Sequence, residues 1–273
     1  MSGGATGGGA TGGGRRAWWS EYASHEYRGL DPMAVIAVLP IAAVEQHGPH
    51  LPVGVDAMIN RGLLETLIAR LPEDIDARIL PVQEVGKSNE HLAGPGTLTL
   101  PPGVLIEAWT ELGLSVARTG LRKIVIVNSH GGNDEIMGIV ARELRVRAGM
   151  LAVKCHWSRL RRPEGLYSER ERAHGIHAGD METSVMRHLR PDLVDMARAR
   201  DFVSVAEQDA RRYALLRPTG PVAYAWMAGD RNPDGAVGEA HLATAEKGRA
   251  TAACYVDAFI DLLRDVRAAP LPA

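Results

Sequence analysis

Lys123-Ile124-Val125-Ile126-Val127-Asn128-Ser129-His130-Gly131-Gly132-Asn133 is the stretch from which the rest of this 273-residue chain can be read. Its aliphatic run has no polar alternation, which suits a strand buried on both faces in a parallel sheet covered by helices. A polar loop from Asn128 to Gly132 then leads to Asn133, a helix-capping residue type, ahead of a helical pattern from Ile136 to Ala148. The carboxyl end of such a strand is where open α/β sheets hold their ligands. His130 there serves either a ligand or an anion-binding turn built on the paired glycines, and the segment alone leaves both readings open.

The same grammar repeats outward. Upstream, Ala34 to Leu39 is another short apolar run, and from Asp56 to Leu71 the residues Ala57, Ile59, Leu63, Leu64, Leu67 and Ile68 recur at helical spacing. Ile79 to Val82 reads as a strand and Pro101 to Thr119 as a helix. Downstream, Met150 to Val153 suits a strand, and Met181 to Leu189 and Ala243 to Val266 suit helices. This alternation predicts an α/β fold with a mostly parallel central sheet.

Composition excludes several functions. The net charge is −2 and the longest basic cluster is Arg159-Leu160-Arg161-Arg162, so no surface is expected for nucleic acid. Cys155 and Cys254 stand far apart outside any Cys-x-x-Cys spacing, which fits a reducing, cytoplasmic compartment. The longest apolar run, Met33 to Val44, is interrupted by Pro40 and is too short to span a bilayer, so no membrane partner is expected. Residues 1–14, MSGGATGGGATGGG, bury nothing and are expected to form a disordered tail, leaving 15–273 as one domain. The formal G-x-G-x-x-G at Gly7, Gly9 and Gly12 has no strand before it, and Gly86-Lys87-Ser88 has Pro81 where a phosphate loop needs its first glycine. Neither Gly-x-Ser-x-Gly nor His-Glu-x-x-His occurs.

Three segments carry chemistry. Glu45 and His47, two apart in extended chain, share one side just beyond the first strand, and Asp56 opens the next helix. His130 follows the strongest strand. His177-Ala178-Gly179-Asp180-Met181-Glu182 is again a polar loop entering a helix. Singly these have plain structural readings: a cap for Asp56 or Asp180, helix-dipole stabilisation for Glu182. Together, Glu45, Asp56 and Glu182 would carry −3, two divalent ions +4, and a bridging hydroxide would balance the charge. Without metal, such buried carboxylates repel and their pKa values rise. Carboxylate and imidazole donors suit Zn, Mn or Fe better than Ca or Mg.

Taken in order, these residues resemble the creatininase family of amidohydrolases. The likeness rests on Glu45-Gln46-His47-Gly48-Pro49-His50-Leu51-Pro52 with Asp56, on Ser129-His130-Gly131-Gly132-Asn133, and on His177-Ala178-Gly179 with Glu182-Thr183-Ser184. Glu90-His91 before Gly94-Pro95-Gly96-Thr97, and Ala243-Thr244-Ala245-Glu246-Lys247-Gly248, extend it. The resemblance implies a three-layer α/β/α sandwich, two divalent metal ions per chain bridged by Asp56, hydrolysis of an amide C–N bond, and homo-oligomers, hexamers among them. It makes Glu45, His47, Asp56, His130 and Glu182 the expected metal ligands, His177 and Glu182 the catalytic pair, and a small-molecule amide the partner. Glu90, His91, Gly131, Gly132 and Trp157 are expected at the substrate. For His91 a surface position, and for Trp157 and Trp226 plain packing, are the alternatives. One departure matters: creatininase itself has a metal-binding glutamate two residues after the motif histidine, where this chain has Gly132. Glu182 is the candidate replacement, and the departure counts against creatinine as substrate; other relatives act on formamides or on the C-terminal part of a peptide.

The expected chemistry is attack by a metal-bridging hydroxide on a cyclic, formyl or peptide-like amide, with His177 moving the proton to the leaving nitrogen. Two rivals stand beside it. A non-catalytic metal-binding or assembly subunit would keep the fold with fewer than two ions, and a two-metal phosphoesterase would need cations that the three motifs lack.

Overall fold

The computed structural model describes residues 16–271, so the expected tail at 1–14 lies outside the described residues. Strands β1 (Val35–Ile41), β2 (Asp76–Ile79), β3 (Lys123–Asn128) and β4 (Leu151–His156) form a parallel sheet in the order β2-β1-β3-β4. Every residue of β1 and β3 is buried. Alternate side chains explain it: Ile36, Val38, Val125 and Val127 enter one apolar cluster, while Ala37, Leu39, Ile41, Ile124 and Ile126 enter the other.

Helices supply the covering layers. On the first face lie α1 (Val55–Arg70) and, from later in the chain, Asp180–Leu189 and Ala245–Ala268; on the second lie α2 (Pro102–Arg118) and α3 (Asp134–Ala148). Four short helices complete the set, α4 (Trp157–Leu160), α5 (Glu169–His174), α7 (Val205–Arg212) and α8 (Ala228–Arg231), which makes the two long ones α6 and α9. Asp201–Phe202 (β5) and Gly238–Glu239 (β6) pair antiparallel as a separate ribbon. The expected α/β sandwich with its parallel sheet is therefore the fold. Among the described residues no helix is long and apolar enough to cross a membrane.

Two expectations need correction. The second strand lies at Asp76–Ile79 rather than Ile79–Val82; residues 80–83 still follow β1, with the amides of Leu80 and Gln83 donating to Val38 and Pro40, but Pro81 has no N–H to continue a regular ladder. Asn133 precedes α3 without capping it. Its Oδ1 accepts from the Lys87 amide (3.0 Å) and its Nδ2 donates to the Ala42 carbonyl (3.0 Å), so it ties three loops together.

The topology locates the site. From β1 the chain goes through α1 to β2 at one edge, whereas from β3 it goes through α3 to β4 at the other. Neighbouring strands β1 and β3 thus send their loops apart, leaving a crevice at their carboxyl ends.

Candidate metal centre

Glu45 and His47 follow β1, Asp56 sits in the first turn of α1, His130 follows β3, and His177 with Glu182 arrive on the loop and first turn of α6. All six converge in this crevice. Glu45, His47 and Asp56 are 1 %, 1 % and 2 % exposed, a degree of burial that carboxylates tolerate only with partners.

Each histidine is held from behind. His47 donates from Nδ1 to the Glu45 carbonyl (2.9 Å), His130 from Nε2 to the Lys87 carbonyl (2.8 Å) and His177 from Nε2 to the Gln46 carbonyl (2.8 Å). The opposite ring nitrogens then face the carboxylates as lone pairs: His130 Nδ1 lies 3.2 Å from Glu45 Oε1 and 3.4 Å from Asp56 Oδ2, His47 Nε2 lies 3.8 Å from Asp56 Oδ1, and His177 Nδ1 lies 3.5 Å from Glu45 Oε1. Lone pairs facing carboxylates require a cation or a proton between them, and a backbone carbonyl behind the imidazole is the usual outer support of a metal ligand. Among the described residues, His47 Nε2 and Asp56 Oδ2 are moreover buried without a hydrogen-bond partner. Three overlapping donor sets among the described residues, each with atoms within 4.8 Å of one another, could hold a metal ion: Glu45, Asp56 and His130; His47, His177 and Glu182; and Glu45, His91 and His177.

The protonation balance agrees. Burial pushes the Glu45 carboxyl up, but the charge of His130 and its hydrogen bond hold it well below the usual range. Asp56 is raised by burial and by Glu45. Glu182, whose side chain is 29 % exposed at the rim, is pushed up to about 7, chiefly by burial and then by Asp56 against the pull of His47. Burial lowers His47 and His130, but the surrounding carboxylates win and raise both. His177 goes well down, through burial and the neighbouring His47.

Gly132 shows why the site cannot be completed from its own position. A Cβ there would meet Glu90 Oε1 at 2.3 Å, His130 Nε2 at 2.4 Å and the Lys87 carbonyl at 2.5 Å. Glu90 occupies that space instead, 3.5 Å from His130 Nε2, on the outer side of the ring and paired with Lys87. Glu182 is the carboxylate that reaches the open side, with Oε2 4.0 Å from His47 Nε2.

His91 is neither a surface residue nor a simple pocket wall. It is 3 % exposed and its Nε2 lies 3.6 Å from Glu45 Oε1. The Gln46 amide accepts from Gly48 and donates to Gly235, so its nitrogen also donates to His91 Nδ1 (2.7 Å) and the His91 proton sits on Nε2. His91 therefore orients Glu45 as a donor, although its position alone would also suit an ion. Trp157, expected at the substrate, is 1 % exposed in the core: its ring packs on Phe259 and its Nε1 donates to Asn60 Oδ1 (3.1 Å), because it points to the α1–α9 layer. Gly131, Gly132, Glu90 and His91 do line the cleft above the cluster, which has a volume of about 1320 Å³, and so does Trp226.

Two participants escaped the sequence reading. Ser88, inside the discarded Gly-Lys-Ser segment, donates its hydroxyl to Glu45 Oε2. Glu171 is the other: 2 % exposed, it accepts from the amides of Met181 (3.2 Å) and Glu239 (2.8 Å), and added Cβ atoms at Gly175, Gly179 and Gly238 would all lie within 2.6 Å of its carboxylate. It thereby clamps the loop that carries His177, which bridges Val237 on its other side. The three surrounding glycines were its only sequence trace, and they lie too far apart to be read as a set.

Comparison with known proteins follows the same line. The family model described as "Creatininase: Creatinine amidohydrolase" matches residues 20–263. A mycofactocin precursor peptide peptidase of Mycolicibacterium smegmatis is 33 % identical over 60 % of this chain; the match spans 62 % of that protein, less than two thirds of its length. A creatinine amidohydrolase of Pseudomonas putida is 30 % identical over 67 % of this chain and 74 % of its own. Among solved structures, a creatininase described as Mn (TM-score 0.72, 23 % identity) and a mutant creatininase described as Zn-Zn type (TM-score 0.72, 22 % identity) each cover 92 % of this chain and 98 % of theirs, which shows a shared fold.

Proposed function

This chain belongs to the creatininase family of metal-dependent amidohydrolases, and from that premise we propose that it hydrolyses the C–N bond of a linear, peptide-like amide with two divalent ions, Zn, Mn or Fe. The observation that carries the reading is Asp56, whose two oxygens divide between His130 and His47 and so border two ion places at once. Glu45 and His130 would complete one place, and His47 and Glu182 the other. Ions bound there supply Lewis acidity and a water that ionises near neutral pH. His177, neutral and fixed by its bond to the Gln46 carbonyl, offers Nδ1 to take up a proton and deliver it to the departing nitrogen. A cleft of about 1320 Å³ is far roomier than a small cyclic amide needs, and ligand sites commonly measure roughly 300–1,000 Å³, so an extended substrate is favoured. The peptide peptidase relative supports the same choice.

The test is metal analysis of gently purified protein together with a screen of peptide amides, formamides, cyclic amides and phosphoesters. Two ions per chain and chelator-sensitive cleavage of a linear amide are expected; one ion at most under metal supplementation, or activity on phosphoesters alone, refutes the reading. The proposal includes a cytoplasmic setting, consistent with two unpaired cysteines, and a homo-oligomer, whose interface would draw on exposed apolar side chains such as Leu92, Leu98 and Val104. Sedimentation should show more than a monomer, and charged substitutions at Leu92 and Leu98 should shift it towards one.

A further inference from the structure

The cleft above the metal cluster is also bounded by a wall built from the end of β4 and the α4–α5 segment. Lys154, His156, Arg159, Arg162 and Arg172 line it. Arg159 is committed to Asp134. Among the described residues Lys154, Arg162 and Arg172 meet no carboxylate; Arg162 donates only to the Arg172 carbonyl (3.4 Å). The acidic side chains of the same cleft are mostly spoken for: Glu45, Asp56 and Glu182 in the cluster, Glu90 with Lys87 and His130, and Glu171 and Asp230 on backbone amides, while Glu135 faces no partner among the described residues. Hydrogen bonds to amides do not cancel the charges of Glu171 and Asp230, so the wall is marked not by a surplus of charge but by three cations that, among the described residues, meet no carboxylate.

His156 gives the wall direction. It ends β4, beside Asn128 of β3. Its Nδ1 accepts from the Ser158 amide (3.3 Å) and faces the Ser158 hydroxyl at 3.0 Å. Burial, with Arg159 and His130 adding to it, pushes the ring down to about 3, so it stays neutral at physiological pH with its one proton on Nε2. Among the described residues no acceptor meets that nitrogen. A neutral imidazole fixed in this tautomer lacks an acceptor, and three cations lack an anion.

We propose that this wall is a subsite for an anionic oxygen group of the substrate, a carboxylate or a phosphate, remote from the scissile amide: His156 donates a directed hydrogen bond, and Lys154, Arg162 and Arg172 supply the charge. The inference rests on the amide-hydrolase reading but is tested by binding. N-acetyltriglycine, its C-terminal carboxamide, and the analogue ending in aminoethyl phosphate are titrated into metal-loaded protein by calorimetry at low salt. One or both anionic ligands should bind about tenfold or more tightly than the carboxamide, the gain expected of charge-assisted hydrogen bonds. Which one gains identifies the group. The gain should vanish in K154Q/R162Q/R172Q, fall in His156→Phe and return in His156→Gln, with metal content unchanged.

Equal binding of all three ligands overturns the subsite. So does a gain that survives in the triple variant, since the anion would then be seated on the metals. If the discrimination appears but no amide is cleaved, the subsite stands and the hydrolase reading falls; if amides are cleaved without discrimination, the reverse holds.

Discussion

Glu182 is the residue on which the site departs from its family template. Gly132 has no room for a side chain, so the ion place proposed beside His47 would depend on Glu182 for its second carboxylate. Glu182→Gln should therefore release one ion and leave the other on Glu45, Asp56 and His130, with turnover falling far more than thermal stability. Two ions retained at near-normal turnover would reduce Glu182 to a helix-start carboxylate. Glu171 acts one step further out. Its carboxylate fixes the loop between the α6 start and β6, so Glu171→Ala should lower turnover by about 10- to 100-fold, the usual cost of losing an outer support. Glu171→Gln should recover part of it, and metal content with unchanged circular dichroism separates misplacement of His177 from unfolding.

At the level of elements, residues 86–91 brace the β3–α3 turn. The Lys87 carbonyl and Glu90 stand behind His130, Ser88 and His91 touch Glu45, and the Lys87 amide meets Asn133. Gly132 keeps the two segments in contact. Gly132→Ala should cost about 1–3 kcal/mol as an overpacked contact, lowering the melting temperature, and should weaken metal binding by displacing Glu90 and the His130 ring. A variant with wild-type melting and full metal content would show that the turn yields freely and that the bracing is incidental.

For the molecule as a whole, the metal-free cluster makes stability depend on pH. Asp56 and Glu182 have raised values, so the folded protein holds protons that the unfolded chain has already released; each carboxyl weakens the fold as pH rises from its ordinary value to its raised one, about 7 for Glu182. His130 is raised too, and its contribution, present below its ordinary value, is lost as pH rises through the raised one. Both effects run the same way. Below 6.5 the lowered histidines, His177, His91, His50 and His156, act the other way, because the unfolded chain binds protons that they do not; metal-free protein should therefore melt progressively lower only above about pH 7, while metal-loaded protein should gain relative to it over that rise, because binding expels the protons of Asp56, Glu182 and His130. Parallel melting curves with and without chelator measure the difference; a gap independent of pH would contradict the proton-linked cluster.

The chain's own pattern determined the sheet, because residues buried on both faces must be continuously apolar, and it determined the strand-end loops carrying Glu45, His47, Asp56, His130 and Glu182. The charge imbalance of these side chains was legible as well, since it needs only their identities. Tertiary structure decided the rest. Trp157 turned into the core and His91 into the cluster, because which way a side chain at a strand or loop end points depends on the layer packed against it. The bracing by Ser88 and Glu171, and the filling of the Gly132 space by Glu90, join residues distant in sequence whose spacing carries no period. The cationic wall is of the same kind: Lys154, Arg162 and Arg172 are unremarkable along the chain, and only the fold leaves all three facing one cleft without a carboxylate partner among the described residues.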